Sequence, residues 1–190
     1  MKFSYLYPNF LLADLRALKK LKPQAVKILK MVHILFAFSW TIGALVLCLL
    51  LFITYPQSGD ELFMRSRMLQ IVDDYFIIPG AIGGFITGLI YSVWTNWGFF
   101  KHPWIMIKWI LIILQTLIGT FVLGPPLNDN VVIADQLRDT ALTNPDFISN
   151  IQTTQIVGII QTIFLFFVIV ISVQKPWKKK KQTMTENASR

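Results

Sequence analysis

YFIIPGAIGGFITGLIYSVW, residues 75–94, runs without a single charged side chain. A helix needs about 20 apolar residues to cross roughly 30 Å of hydrocarbon, so this stretch reads as a transmembrane span. Working outward, three more stretches read the same way. Residues 28–53 are interrupted only by Lys30 and His33 near their start, 104–123 carry one charge, Lys108, and 151–173 carry none. The expected fold class is all-α: a polytopic membrane protein, a bundle of four transmembrane helices over residues 28–173. A basic amphipathic segment, 1–27, should precede it and a polybasic tail, 174–190, follow. The first span is not expected to be a cleaved signal peptide. Its apolar core exceeds the usual 7–15 residues and no small-x-small site follows it.

Composition agrees with this reading. Hydrophobic residues make up 54% of the chain and charged residues only 15%, too apolar a balance for an ordinary soluble domain. The formal net charge of +8 gathers beside the apolar stretches, where topology and anionic lipid account for it better than nucleic acid does. The single cysteine, Cys48, lies inside a span and excludes a disulfide framework.

Lysine and arginine set orientation. Arg16, Lys19, Lys20, Lys22, Lys27 and Lys30 precede the first span, and Lys178 to Lys181 follow the last. Asp129, Asp135, Asp139 and Asp146 dominate the connection between the third and fourth spans. Both termini are therefore expected in the cytoplasm and the protein in the inner membrane. Leu11, Leu15 and Leu18 share one helical face of residues 9–22, a segment suited to the interface, and Pro23 should end it. Residues beyond about 175 should be disordered, their lysines drawn to anionic lipid. Residues 124–150, opening Gly124-Pro125-Pro126, read as a long outer loop, with a short helix over 131–142 and no catalytic constellation.

Lipid offers little hydrophobic drive between helices, so small residues and polar groups should hold the bundle. Gly80, Gly84 and Gly88 repeat at four-residue spacing beside Gly83, making a groove for another helix, and Ser39 and Gly43 repeat the pattern in the first span. Gln115 and Gln161 fall near mid-bilayer and should hydrogen-bond to each other. A compact, left-handed four-helix bundle is expected.

On the cytoplasmic side, His33 and Lys108 each lie about one turn inside their helices, at the depth of Tyr91 and near Thr87. His33 and Trp40 share a face, as do Lys108 and Gln115. Ionisable groups at that depth are costly and mark candidate sites. His33, Lys108, Tyr91 and Trp40 form the candidate binding cluster. The structural alternative stays open: Lys108 snorkels to the headgroups and His33 bonds a carbonyl. Asp73 and Asp74 read as favourable charges at a helix start.

The run from Gly88 through Tyr91, Trp94, Trp97, Gly98, Lys101 and His102 to Lys108-Trp109 resembles a family of predicted bacterial integral membrane proteins of the domain of unknown function 2269 type. So do His33 with Trp40 and Gly43, Ile78-Pro79-Gly80, and the segment from Gly119 to Pro125. The likeness covers residues 28–173 and implies a fold and a location, since the family carries no assigned activity. More distantly the chain is similar to the copper-resistance D and HemJ types of four-helix membrane protein. In the latter an early histidine and a Trp-x-x-x-Lys segment are central, matched here by His33 and by Trp104 with Lys108. That resemblance implies a haem whose iron His33 would ligate, with Lys108 as a carboxylate or proton partner.

Three function classes follow: a haem-binding or redox-linked membrane protein, a small transporter, and a non-catalytic scaffold or accessory subunit. The last two would call for a homodimer or a partner membrane helix. No hydrolase, zinc or P-loop pattern is present.

Overall fold

The computed structural model describes residues 20–95, 98–99 and 102–174. The interfacial segment expected before residue 20, the tail after 174 and Lys101 lie outside them. Among the described residues six α-helices follow in order: α1 (Pro23–Ile53), α2 (Gly59–Val72), α3 (Ile78–Trp94), α4 (Pro103–Ile118), α5 (Gly124–Leu137) and α6 (Pro145–Gln174). Short π-helical stretches, Asp73–Ile77 and Gly119–Leu123, fuse α2 to α3 and α4 to α5, so four helices are long and apolar enough to cross a membrane. The expected spans at 28–53, 75–94, 104–123 and 151–173 fall inside these four.

Pro23 starts α1 rather than merely ending what precedes it. A proline at a first helical position loses no intrahelical hydrogen bond. At 31 residues α1 is roughly 46 Å long, more than the hydrocarbon thickness. Ser58 caps α2 by accepting from the Glu61 amide at 3.3 Å, with Asp60 and Glu61 in the first turn where the helix dipole favours them. Asn144 does the same for α6, its side-chain oxygen accepting from the amides of Asp146 at 2.9 Å and Phe147 at 3.0 Å.

Both connections on the side away from the termini are largely helical. Most of the first, from Gly59 onward, is α2. The long outer loop at 124–150 is α5, a 3-10 turn at Arg138–Thr143 and the start of α6. The reason lies in the prolines. In an α-helix a proline removes one hydrogen bond and presses its ring on the carbonyl four residues back. Those carbonyls belong to Tyr75 for Pro79 and to Phe121 and Val122 for Pro125 and Pro126, all inside the π-helical stretches. The wider turn takes up the proline and lets each helix continue. Gly124-Pro125-Pro126, read as a loop opening, is the first turn of α5.

The chain runs up and down, placing residue 20, the ends of α3 and α6 and the start of α4 at one end, the terminal end. Lys20 and Leu21 fasten that end, the Lys20 ammonium donating to the Val93 carbonyl at 3.2 Å and the Leu21 amide to that of Trp94 at 3.0 Å. α1 makes its most extensive contact with α3, and α6 packs on α1 and α4. Beyond the π-helical stretches α2 and α5 pair into a cap. Its core is Leu62, Ala134, Ala141 and Phe147, each no more than 1% exposed.

Small residues bring α1 and α3 together, though not all those expected. A Cβ on Gly80 would lie 2.5 Å from the Trp40 backbone nitrogen and 2.9 Å from the Phe36 carbonyl oxygen. Gly83 sits against the Phe36 ring. Gly84 meets nothing within 4 Å, and Gly88 only borders His33 and Trp109. The groove is thus built on Gly80 and Gly83, because residues three apart share a helix face as well as residues four apart. From α1, Ser39 Oγ donates to the Phe76 carbonyl at 3.0 Å, and Gly43 lies against Phe76 and Ile77.

Gln115 and Gln161 do meet, in a different manner from the one expected. Gln115 Nε2 donates to the Gln161 backbone carbonyl at 2.9 Å, and Gln161 Nε2 to that of Gln115 at 3.1 Å. Each bond therefore survives loss of the other side chain. Gln115→Leu and Gln161→Leu should each cost about 0.6–2 kcal/mol and the double variant their sum. Were the amides bonded to each other, the double would cost no more than one single. Reversible unfolding in mixed micelles measures the difference.

Candidate functional site

His33 lies between α1 and α3 at the terminal end, its Nδ1 2.8 Å from Thr87 Oγ1. Thr87 has one proton, and its oxygen is 2.6 Å from the Gly83 carbonyl, which can only accept. The hydroxyl therefore accepts from His33, Nδ1 carries the hydrogen, and Nε2 is the nitrogen left for chemistry. Helix back-bonding of threonine to an upstream carbonyl is common and orients the oxygen here.

Lys108 stands on the α4 face that also carries Trp104 and Gln115, both buried. The residue after it, Trp109, borders Gly88 as His33 does, which puts Lys108 at the level of His33. Among the described residues Lys108 has no hydrogen bond or ion pair; the ion pairs there belong to Arg138. Its next neighbour, Trp109, fills the gap between α3 and α4. The indole Nε1 donates to Ser92 Oγ at 3.1 Å, and the ring meets Phe85 edge-on with centroids 5.3 Å apart. Gly88 lies against both His33 and Trp109, so a larger residue there would crowd the pair.

His33, Thr87 and Trp109 thus gather around Gly88, with Lys108 at the same level on α4. Tyr91 is half-buried one turn beyond Thr87, and its hydroxyl has no hydrogen bond among the described residues. Trp40 is elsewhere. It is buried at the Gly80 crossing, about 10 Å along α1 from His33 at the helical rise. Trp109 was missed as a member of the site; its adjacency to Lys108 in a span otherwise aliphatic at that depth was the available signal. His102 stacks on Trp104, with ring centroids 6.1 Å apart.

Acidic residues are confined to one end. Every aspartate and glutamate among the described residues lies at the cap end or in its π-helical junction, and none lies near His33 or Lys108. Among the described residues no group of three or more His, Cys, Asp or Glu is placed to hold a metal ion. Two cavities, of about 10 and 50 Å³, lie elsewhere, one near the cap and one between α4 and α6. The second is walled by Gln115, Gln161, Phe164 and aliphatic side chains.

Four long apolar helices, glycine-mediated contact and a cationic cluster at one end define a polytopic α-helical membrane protein. The chain belongs to the DUF2269 family of predicted integral membrane proteins, whose model matches residues 27–176. No curated protein and no solved structure matches it.

Proposed function

We propose that this membrane protein binds the anionic head of an amphiphile, a phosphate or carboxylate, at its terminal end through Lys108 and His33. The observation that carries this is a lysine and an imidazole at one level of the bundle, with no acid among the described residues at that end. A charge between helices normally finds a partner, and the described residues supply none. Lys108 provides the point charge, His33 Nε2–H the directed donor when protonated, and Thr87 holds the imidazole in register. Trp109 and Tyr91 offer the amphipathic rings common at membrane interfaces. On the same reading the terminal end faces the cytoplasm, where anionic lipid surfaces lie.

A haem enclosed within one chain fits less well. The anchored Nδ1–H of His33 is the usual companion of an axial ligand. Yet the ring borders Gly88, with Trp109 on the other side of that glycine, and neither the cavity near the cap nor the one between α4 and α6 approaches the several hundred Å³ of a cofactor-sized site. Transport also finds little support. The interior hydroxyls of Thr41, Thr87, Thr154 and Thr162 are turned back onto their own helices, and the mid-bilayer glutamines are satisfied by backbone carbonyls.

The test uses the full-length protein in neutral detergent, titrated with phosphatidylglycerol, with phosphatidylcholine or with inorganic phosphate. Phosphatidylglycerol should raise the unfolding temperature more than phosphatidylcholine does. Lys108→Gln and His33→Gln should each weaken that selective binding about tenfold or more, the scale of one charge-assisted hydrogen bond. Equal selectivity in both variants would sink the proposal and leave Lys108 a snorkelling residue. A response to inorganic phosphate alone would point to a free anion. An absorption spectrum after expression with a haem precursor separates the haem reading: a Soret band lost in His33→Ala would replace the present one.

A further inference from the structure

We infer that a single resident water joins Arg65 to Asn130 at the junction of the cap with the spans. Four helices converge there. Leu51 of α1, Arg65, Ser66 and Leu69 of α2, Leu127 and Asn130 of α5, and Phe147, Ile151 and Thr154 of α6 enclose a cavity of about 10 Å³. Two buried polar atoms lining residues of this cavity have no hydrogen-bond partner, Arg65 Nε and Asn130 Oδ1. Asn130 is only 8% exposed, so solvent at the surface does not satisfy it. Arg65 is otherwise held by one long contact, Nη2 to the Leu51 carbonyl at 3.4 Å, at the last turn of α1.

Unsatisfied buried polar atoms are rare because each costs a full desolvation penalty, and ordered water is the usual remedy. The volume admits about one water. The chemistry selects water over an ion. Arg65 Nε–H donates, whereas Asn130 Oδ1 accepts. Ser66 Oγ already gives its proton to the Leu62 carbonyl at 3.0 Å, and Thr154 Oγ1 gives its own to that of Asn150 at 2.8 Å, so both can only accept further. A ligand must therefore accept one hydrogen bond and donate others. Water does both. A halide would accept from Arg65 and then face three acceptor oxygens, and a second cation would face a guanidinium.

The water would tie α1, through Arg65, to α5 and α6, and so fix how the cap sits on the spans. A structure of the full-length protein in lipid, at a resolution that shows ordered solvent and with bromide in the buffer, tests this directly. The expected result is a peak within hydrogen-bond distance of both Arg65 Nε and Asn130 Oδ1 and no anomalous signal. An empty cavity, or a bromide peak there, would overturn it. Thermal unfolding gives a second measure on Arg65→Met, Asn130→Leu and the double variant. A shared water makes the shifts non-additive, the double unfolding no lower than the worse single; additive shifts would count against it.

Discussion

Gly80→Leu should leave almost no folded protein. The Cβ alone would stand 2.5 Å from the Trp40 nitrogen and 2.9 Å from the Phe36 oxygen, atoms that belong to the α1 backbone and cannot rotate away. The helices would have to separate along their whole contact. That would pull Ser39 from the Phe76 carbonyl and His33 from Thr87. Overpacking of a tight core typically costs about 1–3 kcal/mol, and a backbone-to-backbone contact belongs at or above the top of that range. Gly84→Leu is the matched control, since nothing lies within 4 Å of that position and the side chain has room. Monodisperse yield after detergent extraction, with the unfolding temperature, gives the comparison. Similar behaviour of the two variants would mean that α1 and α3 do not cross at Gly80.

Gly59→Val should have a comparable effect, confined to the cap. Gly59 abuts the backbone of Arg138 and Asp139, and its amide donates to Asp139 Oδ1 at 2.5 Å. Arg138 at this contact has φ 45°, a conformation unfavourable for a residue with a side chain. Its guanidinium pairs with Asp60 at 3.1 Å and Asp135 at 2.5 Å and lies 4.4 Å from the centre of the Phe63 ring. A valine at 59 would displace that clamp and open the core around Leu62 and Phe147. Limited proteolysis should then cut near residues 138–144 at least about tenfold faster, the rate ratio for roughly 1.4 kcal/mol of lost local stability. Circular dichroism should retain the helical signal of the spans. Arg138→Gly, which relieves the backbone but removes the clamp, should fall between parent and Gly59→Val. An unchanged cleavage rate in Gly59→Val would show that the cap does not close on this glycine.

Much of the fold could be read before any coordinates. Length and apolarity name a span by themselves, since hydrocarbon leaves a backbone no partner but its own helix. The cap was another matter. Pro79 and Pro125-Pro126 carry the ordinary signal for a helix end, and nothing local says that a π-helical turn precedes each. Helical continuation there depends on what the chain beyond can bury, Leu62 and Phe147 against Ala134 and Ala141, and that is a tertiary fact. The site divides in the same way. His33 and Lys108 stood out because ionisable groups inside spans are few. Trp40 shares the helix face of His33 and still lies at another level, since a shared face says nothing of depth along the neighbouring helix.

The sequence by itself determined that the chain is a membrane protein with four apolar spans and with lysines gathered at its termini. Those properties follow from transfer free energies, which sum residue by residue and need no partner. Only the tertiary structure decided that Gly80 and Gly83 rather than Gly84 make the crossing, that the glutamines bond to backbone rather than to each other, and that Thr87 sets the tautomer of His33. Each of these depends on the rotation and depth of one helix against another, quantities that packing fixes and composition does not.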